Sequence, residues 1–423
     1  MIEQVLHPRN LERALQQVIS NKGSAGIDGM KISELTEYMR RNKAPLMQEI
    51  KEEKYLPTII RGKEIPKGGG KTRLLGIPTV VDRVIQQAVS QSIMYQFDKE
   101  FADTSYGFRP NKSARQAVAK SLEYIHDGKC HIIDIDLKNF FDEVDHSLLL
   151  NLIYQKVKCP IVMRLIRKWL RVPIDVKGKL TKRKKGVPQG SPISPLLSNI
   201  VLHEMDKELI KRGHSFVRYA DDFSIYVKTK TEAKKVGNAI YLFLKNKLHL
   251  PINREKSGLR KPVQFSIFGF RFVPTYIKGD TNKYQLAVCD KAWTKLKQKL
   301  KEITRKTKPI KLTERINKIK EIQRGWLTYF RGASIIGKLR ELDGWLRNRL
   351  RYCIWHDWKK PERKRKNLIQ LGVDNSDAYA WSRSRMGGWA IAQSPILKTT
   401  ITIQRLKQRG YISLSDQYLM INL

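Results

Sequence analysis

The stretch FVRYADDFSIY, residues 216–226, sets two adjacent carboxylates, Asp221 and Asp222, between runs that favour β-strand. Phe216, Val217 and Tyr219 stand before them, and Phe223, Ile225 and Tyr226 after them, which predicts two strands meeting at a tight turn. Two readings of the acids stand. Asp is a common turn former, so both can be solvated turn residues. Alternatively, a hairpin tip presents both carboxylates to a metal ion. The rest of the chain has to separate the two.

A second acidic stretch, HIIDIDLKNFFDEVDH (131–146), contains Asp134, Asp136, Asp142 and Asp145. CHIIDIDL (130–137) reads as a strand, so Asp134 and Asp136, two apart, share one face. A carboxylate inside an apolar strand is costly unless it is paired or bound to metal. One strand acid plus a hairpin-tip pair is the donor set that two-metal phosphoryl transfer needs. Two divalent ions about 4 Å apart activate the attacking hydroxyl and stabilise the leaving pyrophosphate. Hard oxygen ligands suit Mg²⁺.

The charge balance points to the partner. Lys and Arg number 82 against 40 Asp and Glu, a formal net charge of +42 in 423 residues. Such an excess repels itself in a compact fold unless a polyanion shares the space, and nucleic acid is the polyanion that fits. A membrane surface is the weaker rival. A hydrophobic content of 41% excludes a disordered chain. Cys130, Cys159, Cys289 and Cys353 form no CxxC pair, which argues against a zinc site and a disulfide framework and fits a reducing cytoplasm. The opening MIEQVLHPRNLERAL carries acids and no long apolar run, so no signal peptide is expected. No stretch approaches the roughly 20 apolar residues of a membrane span.

Three zones follow one another. Residues 1–60 read as helices around the turn NKGSAGIDGM (21–30). Residues 61–275 mix strands with helices, the helices over KSARQAVAKSLEYI (112–125) and TEAKKVGNAIYLFLKNKL (231–248). Residues 276–423 are helical and basic. Leu312, Ile316, Ile319, Gln323, Trp326 and Phe330 recur at helical spacing, as do Leu339, Leu342, Trp345, Leu346 and Leu350. These stripes read as core rather than base-stacking platforms. The charged stretches KLKQKLKEITRKTK (295–308) and KKPERKRKN (359–367) read as the faces turned to phosphates.

Several segments together carry a family resemblance. YADD (219–222) resembles the polymerase signature of reverse transcriptases, and DLKNFFD (136–142) resembles the first acid strand of their palm. GVPQGSPISPLLSNIVL (186–202) is similar to their template- and nucleotide-contacting loop and helix. EIPKGGGKTRLLGIPTVVDRVIQQA (64–88) and SYGFRPNKSARQA (105–117) are similar to their fingers segments. Order and spacing match along essentially the whole chain. NKGSAGIDGM, the basic helical C-terminal zone and SRMGGWAIAQSPIL (384–397) resemble the bacterial group II intron-encoded reverse transcriptase/maturases of the endonuclease-lacking type.

The resemblance implies an α+β fold: a right-hand polymerase, with fingers, a palm built on an antiparallel sheet, and an α-helical thumb. It divides the chain into an N-terminal extension (1–60), fingers and palm (61–275) and a thumb/maturase domain with a C-terminal tail (276–423). Asp136, Asp221 and Asp222 match the catalytic metal-binding triad. Asp136 is preferred to Asp134 because it stands five residues before Phe141, which leaves Asp134 a structural acid or one that supports a metal ligand, and Asp142 a helix-start or salt-bridge residue. Phe141 matches the ring that packs under the sugar and selects dNTPs over rNTPs, with a plain core phenylalanine as the competing reading. Lys67 and Arg73, flanking GGGKT (68–72), match the residues that hold the triphosphate, Arg as a fork and Lys as a point charge. Gln189 and Gly190 match positions at the nascent base pair, and Lys256 matches the lysine that protonates departing pyrophosphate.

The implied cofactors are two Mg²⁺ ions, with Mn²⁺ able to substitute. The implied partners are group II intron RNA, an RNA template with a DNA or RNA primer, dNTPs and target DNA, in a bacterial cytoplasm and with no membrane. The implied activity is RNA-directed DNA polymerisation together with help in intron splicing and retrohoming. The alternatives are a splicing-only RNA-binding maturase and a domesticated reverse transcriptase in repair or phage defence. The chain stops at Leu423 without paired cysteines, so no endonuclease is expected.

Overall fold

Ile132, Ile133 and Ile135 are almost fully buried and hold the strand that carries the first acids inside a sheet. The computed structural model describes residues 1–68, 70–275 and 283–422. Two units divide the chain, Met1–Lys261 and Pro262–Leu423. In chain order the first contains strands β1 (Ile60–Gly68), β2 (Lys71–Ile77), β3 (His131–Asp136), β4 (Ile174–Val176), β5 (Lys179–Thr181), β6 (Ser215–Tyr219), β7 (Asp222–Val227) and β8 (Gly258–Arg260). The second contains β9 (Ser266–Ile267), β10 (Phe270–Pro274) and β11 (Tyr284–Val288).

In the first unit, an antiparallel sheet of order β6-β7-β3-β8 carries both acidic stretches. Helix Lys230–Asn246 covers it through Ala233, Val236, Ile240 and Leu244, a buried stripe at helical spacing. Thr229 caps that helix, its hydroxyl accepting from Glu232 N at 3.2 Å. Helices Ala114–His126 and Ser194–Lys211 also pack on the sheet. A second sheet, β2-β1-β4-β5, is a hairpin extended by β4, which runs parallel to β1. Ahead of it lie the helices Ile2–Leu6, Pro8–Ser20 and Ile32–Lys51. Leu11, Ala14, Leu15 and Val18 bury one face of Pro8–Ser20, which packs on helix Val80–Asp98. Asp82 of that helix is buried and accepts from Tyr55 Oη (2.6 Å), Thr79 Oγ1 (2.8 Å) and Thr58 N (3.1 Å).

In the second unit, a three-stranded antiparallel sheet of order β11-β10-β9 precedes the helices Asp290–Ile303, Leu312–Tyr329 and Ile336–Asp357. The two stripes read from the sequence form their inner faces. Ile316, Ile319, Gln323 and Leu327 are buried on one helix, and Leu339, Leu342, Leu346 and Leu350 on the other. Trp326 and Trp345 are half-buried. Trp389, from the SRMGGWAIAQSPIL stretch, meets Tyr352 edge-on at 5.8 Å, which packs that stretch onto the long helix. No helix among the described residues is long and apolar enough to cross a membrane.

The C-terminal helix Leu414–Asn422 is held by one carboxylate. Asp343, 1% exposed, accepts from Leu414 N (2.6 Å), Ser415 N (3.0 Å), Ser415 Oγ (2.7 Å) and Tyr411 Oη (3.2 Å). These bonds satisfy amides at the start of the helix that have no partner within it. Asp343→Ala leaves those groups unpaired, and we expect it to lower the unfolding free energy by about 3 kcal/mol, read from urea denaturation.

Candidate active site

Strands β6 and β7 meet in a two-residue hairpin, Ala220–Asp221, with Tyr219 paired to Asp222. Ala220 has φ +57°, a conformation that costs energy in a residue with a Cβ. What holds it lies directly beneath. Arg218, 0% exposed, donates from Nε and Nη2 to the Asp206 carboxylate at 2.8 and 2.6 Å. Its Nη1 donates to Asn199 Oδ1 at 2.8 Å and to the Ala220 carbonyl at 3.2 Å. Asn199 Nδ2 in turn donates to the Gly107 carbonyl at 2.8 Å. The SYGFRP segment also lies along the strand: Tyr106 N donates to Arg218 O at 2.8 Å, and Arg218 N donates to Thr104 O at 2.9 Å. A Cβ at Gly107 would fall 2.2 Å from Ala220 N, so only glycine lets the two backbones meet.

Across the sheet, β3 pairs with β7 so that Asp136 stands directly opposite Asp222. Directly opposed residues in an antiparallel pair have Cβ atoms roughly 5 Å apart. The ladder register therefore brings Asp136, Asp221 and Asp222 together at one end of the sheet. Burial and neighbouring acids both act on Asp222. Asp222 is pushed from its usual 3.8 up to about 6, first by desolvation and then by Asp221, Asp136 and Asp134. The Asp136 backbone is fixed by the β8 approach: its N–H donates to Ser257 Oγ at 3.0 Å, and its carbonyl accepts from Asn253 N at 2.8 Å. Lys256 Nζ lies 3.3 Å from Asp136 Oδ2.

The other acids have separate employment. Asp134 accepts from Arg260 Nε at 3.1 Å, although burial still raises its pKa. Asp142 lies in the first turn of the short helix Phe140–Glu143. Asp145 caps helix His146–Tyr154 by accepting from Leu148 N at 2.7 Å.

The side chains present suit a hard divalent cation, since they offer only carboxylate oxygens whose mutual repulsion such an ion would relieve. Among the described residues, no three His, Cys, Asp or Glu side chains stand close enough together to enclose an ion by themselves. Lys256 supplies the only ion pair made by the three catalytic candidates among the described residues.

A second group assembles between β2 and the loop after residue 185. The Arg73 guanidinium donates through Nε to Gln189 Oε1, and Gly76 N donates to Gln189 O at 2.7 Å. Gly190 has φ +108°, and a Cβ there would lie 2.5 Å from Gly76 O. The space this glycine leaves is taken by the backbone of its own chain. On the loop's other side, Val187 N donates to Phe141 O at 2.6 Å and Gly186 N to Val144 O at 2.7 Å. Ser191 Oγ donates to Gln86 Oε1 at 2.6 Å. The loop therefore links Arg73, through Gln189, to Phe141, through Val187. Phe140 is the buried member of its pair, whereas Phe141 is half-buried and meets it edge-on at 5.4 Å. Among the described residues, no hydrogen bond or ion pair links Arg73 to the three aspartates. Lys67 belongs to β1, and its side chain lies outside the described residues.

Residues 65–272 match the family described as reverse transcriptase (RNA-dependent DNA polymerase), and residues 293–372 match the group II intron, maturase-specific domain. Protein YkfC of Escherichia coli (strain K12) is 31% identical over 300 residues, covering 61% of this chain and 78% of YkfC. The chain belongs to the group II intron reverse transcriptase/maturase family. The β6-β7-β3-β8 sheet is the palm sheet of this α+β polymerase fold. Group II intron-encoded protein LtrA of Lactococcus lactis subsp. cremoris is 29% identical over 318 residues, covering 60% of this chain and 53% of LtrA. Retron Mx65 reverse transcriptase of Myxococcus xanthus is 26% identical over 208 residues, covering 47% of each chain. The chain thus spans most of YkfC but about half of LtrA.

The residues that hold the hairpin, Arg218, Asp206, Asn199 and Gly107, carry no role in the sequence reading. The signal was present for one of them. Arg218 sits inside the apolar run FVRY, where a charge is as costly as it is for Asp136. Its partners come from other elements and have no local mark.

Two outcomes test this geometry. Arg218→Met leaves Asp206 buried and unpaired, and should cost about 3–5 kcal/mol of stability in urea denaturation. Asp222 has a native pKa above its unfolded value, so its ionised form penalises the fold above pH about 6 and not below about 4. Asp222→Asn should therefore raise Tm at pH 7.5, and the gain should vanish at pH 4.

Proposed function

We propose that this chain is an RNA-directed DNA polymerase that also binds group II intron RNA to assist splicing and retrohoming. The single observation that carries the reading is the β3–β7 register, which sets Asp136 across from Asp222 with Asp221 beside it. Reverse transcriptases work with divalent metal ions; here the proposed cofactor is Mg²⁺, with Mn²⁺ able to substitute. Bound at this site, Mg²⁺ would activate the primer 3′-hydroxyl and stabilise the departing pyrophosphate.

The chain's own residues do the positioning. Asp136, Asp221 and Asp222 are the carboxylates that would hold the ions. Arg73 and Lys67 hold the triphosphate of the incoming dNTP, the guanidinium as a fork and the ammonium as a point charge. Gln189, bonded to Arg73, and Gly190 border the nascent base pair. The half-buried ring of Phe141 lies under the sugar and excludes a 2′-hydroxyl. Lys256, a cation already beside Asp136, gives its proton to pyrophosphate.

Residues 61–275 act as fingers and palm, 276–423 as thumb and maturase domain, and 1–60 as an N-terminal extension. The exposed lysines of Asp290–Ile303 and the stretch 359–367 supply cations for the A-form template–primer duplex and for intron RNA. RNA template, DNA or RNA primer, and target DNA are the nucleic-acid partners, in a bacterial cytoplasm.

The variant carrying Asp221→Ala and Asp222→Ala should lose Mg²⁺-dependent extension of oligo(dT) on poly(rA), by at least about a thousandfold. Its RNA affinity should stay within about twofold of wild type. Full extension by that variant removes the assignment of the catalytic carboxylates.

A further inference from the structure

A concave site of about 620 Å³ opens in the second unit, between helix Ile336–Asp357 and the segment that follows SRMGGWAIAQSPIL. Arg347, Asn348, Arg351, Lys398, Thr402 and Gln404 line it. Three of these six are cations and none is an acid. Among the described residues, no carboxylate forms an ion pair with Arg347, Arg351 or Lys398.

Arg351 is the telling member. It is 5% exposed, and its Nε and Nη1 donate to the Ile401 carbonyl (3.0 Å) and to Asn348 Oδ1 (2.9 Å). Both acceptors are neutral, and Nη2 has no acceptor among the described residues. Of the other buried arginines, Arg218 meets a carboxylate while Arg315 and Arg83 meet only neutral carbonyls, and what sets Arg351 apart is that it lines a cavity with a second arginine. Arg347 stands one helical turn before Arg351, where like charges repel. Desolvation and repulsion therefore both act against this cluster as it stands, and an anion in the cavity would relieve both.

The chemistry of the lining narrows the anion. Guanidinium forks match the oxygens of a tetrahedral phosphate, a lysine adds a point charge, and Asn, Thr and Gln add neutral donors. The cavity is much larger than one phosphate, so it has room for the sugars on either side. We infer that Arg347, Arg351 and Lys398 form a pocket for a backbone phosphate of RNA, seated with its flanking sugars between the long helix and the C-terminal segment. The inference rests on the RNA-binding reading above and gives it a defined contact, distinct from the exposed lysine faces.

The test compares two double variants of equal charge change in the full chain. Arg347→Gln with Lys398→Gln alters the pocket and leaves Arg351, which holds Ile401, in place. Lys234→Gln with Lys235→Gln alters an exposed pair on helix Lys230–Asn246. The probe is a fluorescent RNA hairpin, titrated from 50 to 300 mM KCl, with inorganic phosphate as a second probe in thermal denaturation at constant ionic strength. The pocket variant should bind the hairpin at least about tenfold more weakly at 150 mM KCl, with the log–log salt slope reduced by about 0.7 for the one lost phosphate contact. The control pair should stay within about twofold of wild type. Equal losses in the two variants overturn the pocket. Phosphate-dependent stabilisation that the pocket variant loses while its RNA affinity is unchanged reassigns the site to a small phosphate compound and overturns the RNA assignment. Failure of the wild-type chain to bind the hairpin removes the RNA-binding reading itself, and the pocket with it.

Discussion

The acidic end of the palm sheet depends on a buried ion pair. Arg218 and Asp206 are both withdrawn from water, and neither would be tolerated there alone. Their pairing does more than offset its own desolvation. The same guanidinium reaches the carbonyl of Ala220, so its geometry sets where the hairpin turns. The left-handed backbone at Ala220 is strain that the surrounding bonds over-determine, and its effect is to put Asp221 and Asp222 at the sheet's end. Gly107 completes the clamp by letting a second backbone pass at a distance no side chain would allow.

A local charge inversion follows. The chain is strongly basic overall, yet at this one end of the sheet desolvation and neighbouring acids together raise the Asp222 pKa to about 6. The fold meets part of that cost with cations of its own, Arg260 on Asp134 and Lys256 on Asp136. The two pairings differ in kind. Arg260 comes from β8, the strand paired with β3 at Asp134, and its bond is part of the sheet's edge. Lys256 is more than half exposed, so its ion pair is worth little and is readily exchanged for another cation. The site proposed for Mg²⁺ would need the second kind, since it would be filled and emptied in each cycle.

The basic surface has an internal structure too. Most lysines of the second unit are exposed and act as a diffuse field, adequate for holding any phosphate backbone. The Arg347–Arg351–Lys398 cluster differs because three cations, one of them buried, line a single cavity. Diffuse charge supplies affinity, whereas a walled cluster supplies register, and the proposed binding of intron RNA would use both.

The strands, the amphipathic helices and the candidate carboxylates were legible because each is written in local pattern. Alternation marks HIIDID, a 3.6-residue stripe marks Lys230–Asn246, and an acid in an apolar strand marks Asp136. Residue order also identified the family, since its segments recur in sequence along the chain. The partners of Arg218, the glycine that must face Ala220, the Arg73–Gln189 bond and the Arg347–Arg351–Lys398 cluster were not legible. Each joins residues from elements far apart in the chain, and no periodicity encodes such a meeting. The sequence by itself therefore determined which residues have the chemistry for phosphoryl transfer and for binding a polyanion. Only the tertiary structure decided which of them meet, because register across β3 and β7 and the packing of separate helices are set by long-range burial.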